Sequence, residues 1–201
     1  MSTSLMPESF PRRGSNLRPS LKALETPSDK SRLHLVVTEG LLKVHSAPHR
    51  GSFSEVLSEA LRAAGLGRKV MVAQFLKGGV KQGPEGIVQL CGGLEWIRPD
   101  IDYCFEEPFN ETPTDFNDTN AFQAINEIWD LCKLRILQGN LDQLVLDEIG
   151  LAIDLGYLEE DQLITTLEKR SISMDVILTG PAIPSSILEI ADQVTELRCG
   201  F

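Results

Sequence analysis

The residues best suited to chemistry stand at the ends of apolar runs. Asp147 and Glu148 close "LVLDE", and Thr179 closes "VILT" just before Gly180. Lys77 follows "KVMVAQF" and precedes two glycines, while His49-Arg50-Gly51-Ser52 separates "GLLKVHS" from a helical pattern. An acid at such a strand end can hold magnesium, and a carboxylate beside it can take a proton or orient a water. Asp147 is thus the candidate magnesium ligand, should a nucleotide bind, and Asp147 with Glu148 forms the candidate catalytic pair. His49, Arg50 and Lys77 are cations that suit an anionic ligand. Each has a plainer role as well. Acids after a strand often mark a solvated turn, and Lys77 can simply neutralise the two carboxylates.

These positions matter only if the surrounding elements bring them together. "LHLVV" and "GLLKVHS" read as two short strands joined at Thr38-Glu39-Gly40. Phe53, Val56, Leu57, Ala60, Leu61 and Ala64 then recur at helical spacing, and Gly65 and Gly67 end that helix. Residues 69–75 form a continuous apolar strand of the kind buried in parallel sheets. Residues 76–86 are glycine-rich loop, "LEWIRP" is a short strand, and residues 100–119 are mostly loop. A helix over residues 119–138 buries Phe122, Ile125, Ile128, Trp129, Cys132 and Ile136. "LDQLVLDE" (strand), "EEDQLITTLEKR" (helix), "SMDVILTG" (strand), "SSILEIA" (short helix) and "QVTELR" (last strand) follow. This alternation predicts an α/β fold in three layers, a mostly parallel sheet with helices on both faces. Ligands of such sheets bind beyond the carboxyl ends of the strands, where all the residues named above as candidates fall.

Composition narrows the reading. At 201 residues and 42% hydrophobic content the chain can bury one sizeable core. Charges interrupt every apolar run well short of a transmembrane span, and the amino terminus has no secretory core, so a cytoplasmic protein is expected. The four cysteines form no CxxC pair and read as reduced thiols, with Cys132 in a helix core. The formal net charge is −10, yet residues 1–32 hold six Lys or Arg against three acids, which leaves −13 on the remainder. An acidic body argues against nucleic acid as a partner. The organisation expected is a flexible basic arm over residues 1–32 and a folded α/β domain over residues 33–201. Phe10, Leu17, Leu21 and Leu24 among Arg12, Arg13, Arg18 and Lys22 suit the arm to docking on a protein partner. A homodimer is compatible with the sequence.

The blocks "EALRAAGLGRKVMVAQFLKGG", "LVLDEIGLAIDLGYL", "VILTGP" and "ADQVTELR" occur in this order over about Gly40 to Arg198. Together they resemble the ATP:corrinoid adenosyltransferases, which place a deoxyadenosyl group on cobalt. The resemblance implies a P-loop NTPase-like (RecA-like) fold and, for an active member, Mg-ATP and a corrinoid as ligands. Lys77, Glu85, Asp147, Glu148 and Asp192 match family positions. Glu85 lies in G-P-E, where the family tends to an N-G-E-like turn. Thr179 falls in the family's T-G.

Laid on the family's T-G-N-G-K-G-K-T-T loop, the chain departs from it. The phosphate-binding lysine falls on Ser52 and the magnesium-binding threonine on Phe53, while Ala47, Pro48 and His49 replace glycine-rich positions. Proline lacks the N–H that a phosphate cradle uses, and phenylalanine ligates no magnesium. Ser52-Phe53-Ser54-Glu55 instead reads as a capping box, S-x-x-E, that satisfies the helix end with its own carboxylate. Pro181 stands where an arginine commonly follows the family's T-G. The segment "DYCFEEPFNETPTDFND" has no match to the aromatic stretch that contacts the corrinoid. The pattern resembles a degenerate cyanobacterial branch. The reading that follows is a non-catalytic protein-binding or regulatory module with no cofactor. A working adenosyltransferase with an atypical loop is the alternative, and a nucleotide or small-anion sensor using His49, Arg50 and Lys77 is a third.

Overall fold

A computed structural model describes residues 39–51, 53–79, 83–105 and 116–198. Residues Val37–Phe201 form one compact unit. The basic arm, the "LHLVV" run and Ser52 lie outside the described residues, as do residues 106–115.

Seven strands form a single sheet: β1 (Leu42–Ser46), β2 (Val70–Gln74), β3 (Val88–Leu90), β4 (Leu94–Ile97), β5 (Gln143–Asp147), β6 (Asp175–Gly180) and β7 (Gln193–Glu196). Their order is β3-β4-β2-β5-β6-β1-β7. Every pairing is parallel except β3 with β4. The acid-bearing β5 is separated from β1 by β6, so the loop after β1 faces the acids across one intervening strand. Among the described residues five α-helices connect the strands: α1 (Ser54–Gly65), α2 (Phe116–Gln138), α3 (Ile149–Asp154), α4 (Glu160–Leu167) and α5 (Ser185–Ile190).

The apolar runs explain the sheet. All five residues of β2 and of β5 are buried, as befits central strands covered on both faces. Strand alternation divides their side chains between two cores. One face, with Val70, Val72, Val145 and Ile177, packs on Val56, Ala60, Ala63 and Ala64 of α1. The other, with Met71, Ala73, Leu144, Leu146 and Leu178, packs on α2, α3, α4 and α5. Small alanines at i, i+3 and i+4 let α1 lie close on the sheet.

Several sequence expectations are corrected. Helix α2 starts at Phe116, inside the stretch read as loop, and its buried stripe holds Ala121 while Phe122 is exposed. The stripe Ala121, Ile125, Ile128, Trp129, Cys132 and Ile136 already spans the helix face, and Phe122 lies on its flank. Strand β3 and helix α3 have no counterpart among the elements expected from sequence. The first has three residues, none of them buried, and the second has six. Both are too short to show a period. Among the described residues no helix is long and apolar enough to cross a membrane.

Candidate functional site

Register does most of the assembly. Gln74 of β2 pairs with Asp147 of β5, and Thr179 of β6 lies next in line because Leu146 pairs with Leu178. The three polar side chains share one sheet face at the carboxyl end and are at most 2% exposed. Asp147 Oδ1 accepts a hydrogen bond from the Thr179 hydroxyl at 2.7 Å. Its Oδ2 accepts from Gln74 Nε2 at 2.6 Å and from Lys77 Nζ at 2.8 Å. Gln74 is held from the far side, because its Oε1 accepts from Trp96 Nε1 at 2.9 Å and from Arg98 Nε at 2.6 Å. A buried carboxylate is tolerated only when charge and lone pairs are matched in this way.

Glu148 is placed differently. Its backbone is left-handed (φ 62°, ψ 25°), an unusual state for a residue with a Cβ, and it swings the chain abruptly from β5 into α3. Its N–H donates to Thr179 Oγ1 at 3.0 Å, so one hydroxyl braces both acids. Gly180 lies beside this turn at a φ of 144° that side chains rarely adopt. The Glu148 carboxylate meets Arg50, which donates from Nε to Oε1 at 3.1 Å and from Nη2 to Oε2 at 2.8 Å. This two-point geometry is the strong form of the arginine–carboxylate pair. Arg50 also donates to the Phe105 carbonyl at 2.6 Å and the Leu76 carbonyl at 3.4 Å. One guanidinium therefore ties together the loops that follow β1, β2, β4 and β5. Gly78 helps keep two of these loops together, because a Cβ there would run into the Tyr103 and Ile101 carbonyls.

The remaining candidates scatter. Gly51 has a positive φ of 79°, the turn that glycine permits. Ser52 is outside the described residues. The cap position of α1 is Phe53, one residue later than the capping box puts it, and no side-chain cap bond forms there. Phe53 is buried in the core under α1, in keeping with an apolar role at the family's threonine position. His49 lines an outer cleft of about 580 Å³ with Pro48, Pro181, Glu196 and Arg198. Glu85 lines a separate cleft of about 540 Å³ with Asp100, Glu127 and Asp130. Neither cleft is lined by Arg50, Lys77, Asp147 or Glu148. Residues 106–115 of the supposed corrinoid stretch are not described, but Phe105 packs edge-on to Tyr157 with ring centroids 5.5 Å apart.

Sequence reasoning missed Gln74, Trp96 and Arg98. The available signal was a lone polar residue ending the otherwise apolar "VMVAQ". It also missed that the two cations divide the acids between them, Lys77 to Asp147 and Arg50 to Glu148. All four carboxylate oxygens already accept hydrogen bonds from protein donors. A magnesium ion on either acid would sit within a few ångströms of an ammonium or a guanidinium. As folded, both acids are committed to protein cations.

Residues 38–200 match the family model described as ATP:corrinoid adenosyltransferase BtuR/CobO/CobP. A corrinoid adenosyltransferase of Escherichia coli (strain K12) is 29% identical over 159 residues, covering 79% of this chain and 76% of that protein. One from Pseudomonas aeruginosa is 30% identical over 160 residues, 79% of this chain and 74% of that protein. An uncharacterized protein of Nostoc sp. (strain PCC 7120) is 30% identical over 169 residues, 79% of this chain but 44% of that longer protein. The matched span takes in every strand and helix described above, and with it the chain belongs to the ATP:corrinoid adenosyltransferase family.

Proposed function

We propose that this chain keeps the frame of the adenosyltransferases but acts as a binding or regulatory module, without binding Mg-ATP. The observation that carries this reading is the pair of internal salt bridges, Lys77–Asp147 and Arg50–Glu148, each with its acid 1% exposed. In phosphate-loop enzymes, positioning and charge neutralisation by a lysine, a hydroxyl and magnesium supply most of the catalysis. Here Ser52 and Phe53 stand at the lysine and threonine positions of the loop. The partner is a protein, engaged in part by the basic residues 1–32.

A working ATP:corrinoid adenosyltransferase is the second reading. The names of the relatives support it more directly than any comparison supports a binding role, and Asp147 and Glu148 are both retained. One experiment separates the two. Calorimetry with millimolar Mg-ATP is expected to give no saturable heat, and the full chain is expected to transfer no adenosyl group to a chemically reduced corrinoid. A micromolar dissociation constant or measurable transfer establishes the enzyme instead. For the partner, a chain beginning at Leu33 should recover less of whatever protein the full chain co-purifies. Equal recovery moves the docking surface onto the folded domain.

A further inference from the structure

We infer that Arg50 is a tethered cationic ligand that latches the site shut, and that the site can admit a divalent cation or a phosphate-bearing ligand only after Arg50 leaves. The inference deepens the proposed function and rests on it, because it says what excludes Mg-ATP.

Four oxygens from three loops converge on one guanidinium: both of Glu148, the Phe105 carbonyl and the Leu76 carbonyl. An oxygen set of this kind also suits a hard cation. Its occupant is supplied by the chain itself, from a residue 98 positions away in sequence. The side chain of Arg50 is 28% exposed, so it reaches the pocket from the solvent side, while Glu148 behind it is 1% exposed. The guanidinium thus lies on the solvent side of Glu148 and can swing away without unfolding the sheet. Lys77, equally exposed at 28%, covers Asp147 in the same way. Lying itself in the loop after β2, it ties that loop to the end of β5, whereas Arg50 also takes in the Phe105 carbonyl after β4. The backbone adds to the case. Glu148 is held in a left-handed turn with its N–H on Thr179, so its carboxylate is fixed for a cation and cannot readily follow Arg50 outward. Arginine is the side chain for this task, because its planar fork satisfies a carboxylate and two carbonyls at once and stays charged at any ordinary pH.

The test uses the full chain with Arg50→Ala and, as a variant that retains bulk and a donor, Arg50→Gln. Manganese binding is read by electron paramagnetic resonance, and thermal melting is read with and without millimolar methylguanidinium. Wild type should show weak manganese binding, and both variants should bind it at least about tenfold more tightly once the competing charge is gone. Arg50→Ala should melt several degrees lower, and methylguanidinium should restore part of that loss where equal sodium chloride does not. Unchanged manganese affinity in both variants overturns the latch, as does rescue by sodium chloride to the same extent. If Arg50→Ala does not fold, Arg50→Gln alone decides by its manganese affinity. Wild-type binding of Mg-ATP would sink the proposed function, whereas the latch fails only if removing Arg50 leaves cation affinity unchanged or if sodium chloride rescues equally.

Discussion

The two ends of the sheet carry salt bridges of nearly equal length and unequal consequence. At the amino end Arg68 meets Asp175 at 2.7 Å, with the acid 17% and the arginine 40% exposed. At the carboxyl end Lys77 meets Asp147 at 2.8 Å, with the acid 1% exposed. Distance alone would rank the pairs as equals. Burial separates them, because water can stand in for the partner of an exposed charge and cannot do so inside the sheet. The amino-end contacts trim the surface, and Asp175 even spends its other oxygen on the Leu41 N–H. The carboxyl-end pairs are conditions for burying two acids at all.

The largest effect should come from breaking the buried pair on one side. Lys77→Met leaves Asp147 with only the Gln74 and Thr179 donors and no compensating charge. Urea unfolding should show a loss of about 3 kcal/mol, the lower part of the range for a buried charge stripped of its partner. Adding Asp147→Asn to that variant should recover most of the loss, since the uncompensated charge is gone. A double variant as unstable as the single one would mean that Lys77 matters by packing and not by charge. At the other end, Arg68→Ala should cost less than about 1 kcal/mol. A cost equal to that of Lys77→Met would erase the distinction between the two ends.

The sequence reveals these two ends unevenly, for physical reasons. Strands β2, β5 and β6 declare themselves because a strand buried on both faces must be an apolar run, and their carboxyl ends locate Asp147, Glu148 and Thr179 without a structure. Pairing partners are less legible. Lys77 lies 70 residues from Asp147 and Arg50 lies 98 from Glu148, so only strand order brings them together. Parallel alternation predicts the sheet and the family resemblance its class, but neither says that Arg50 turns inward while His49 lines an outer cleft. Gln74 was readable only as an anomaly, a polar residue closing an apolar strand. The capping box rests on Ser52, outside the described residues, while the helix itself begins at Ser54 after a buried Phe53.

Between these extremes lies His45, half-buried near the carboxyl end of β1, and it offers the smallest and most graded test. Burial holds its imidazole below the ordinary 6.5, and Lys43 adds to that depression, while Glu59 and Glu55 on α1 oppose it. The folded protein therefore takes up this proton less readily than the unfolded chain does. Stability from neutral His45 is complete above pH 6.5 and is lost as pH falls through 6.5 toward the lower folded value. His45→Gln removes this titration, so the drop in unfolding free energy between about pH 8 and about pH 5.5 should be smaller than in wild type. Glu59→Gln should act in the opposite sense. It deletes the carboxylate that most favours the charged imidazole, pushes the folded value lower still, and steepens the acid-side loss. If His45→Gln and wild type lose stability in parallel over that range, desolvation at this position is negligible. His45 would then behave like the exposed pair at the amino end, and burial at the carboxyl end would govern only the residues that touch Asp147 and Glu148.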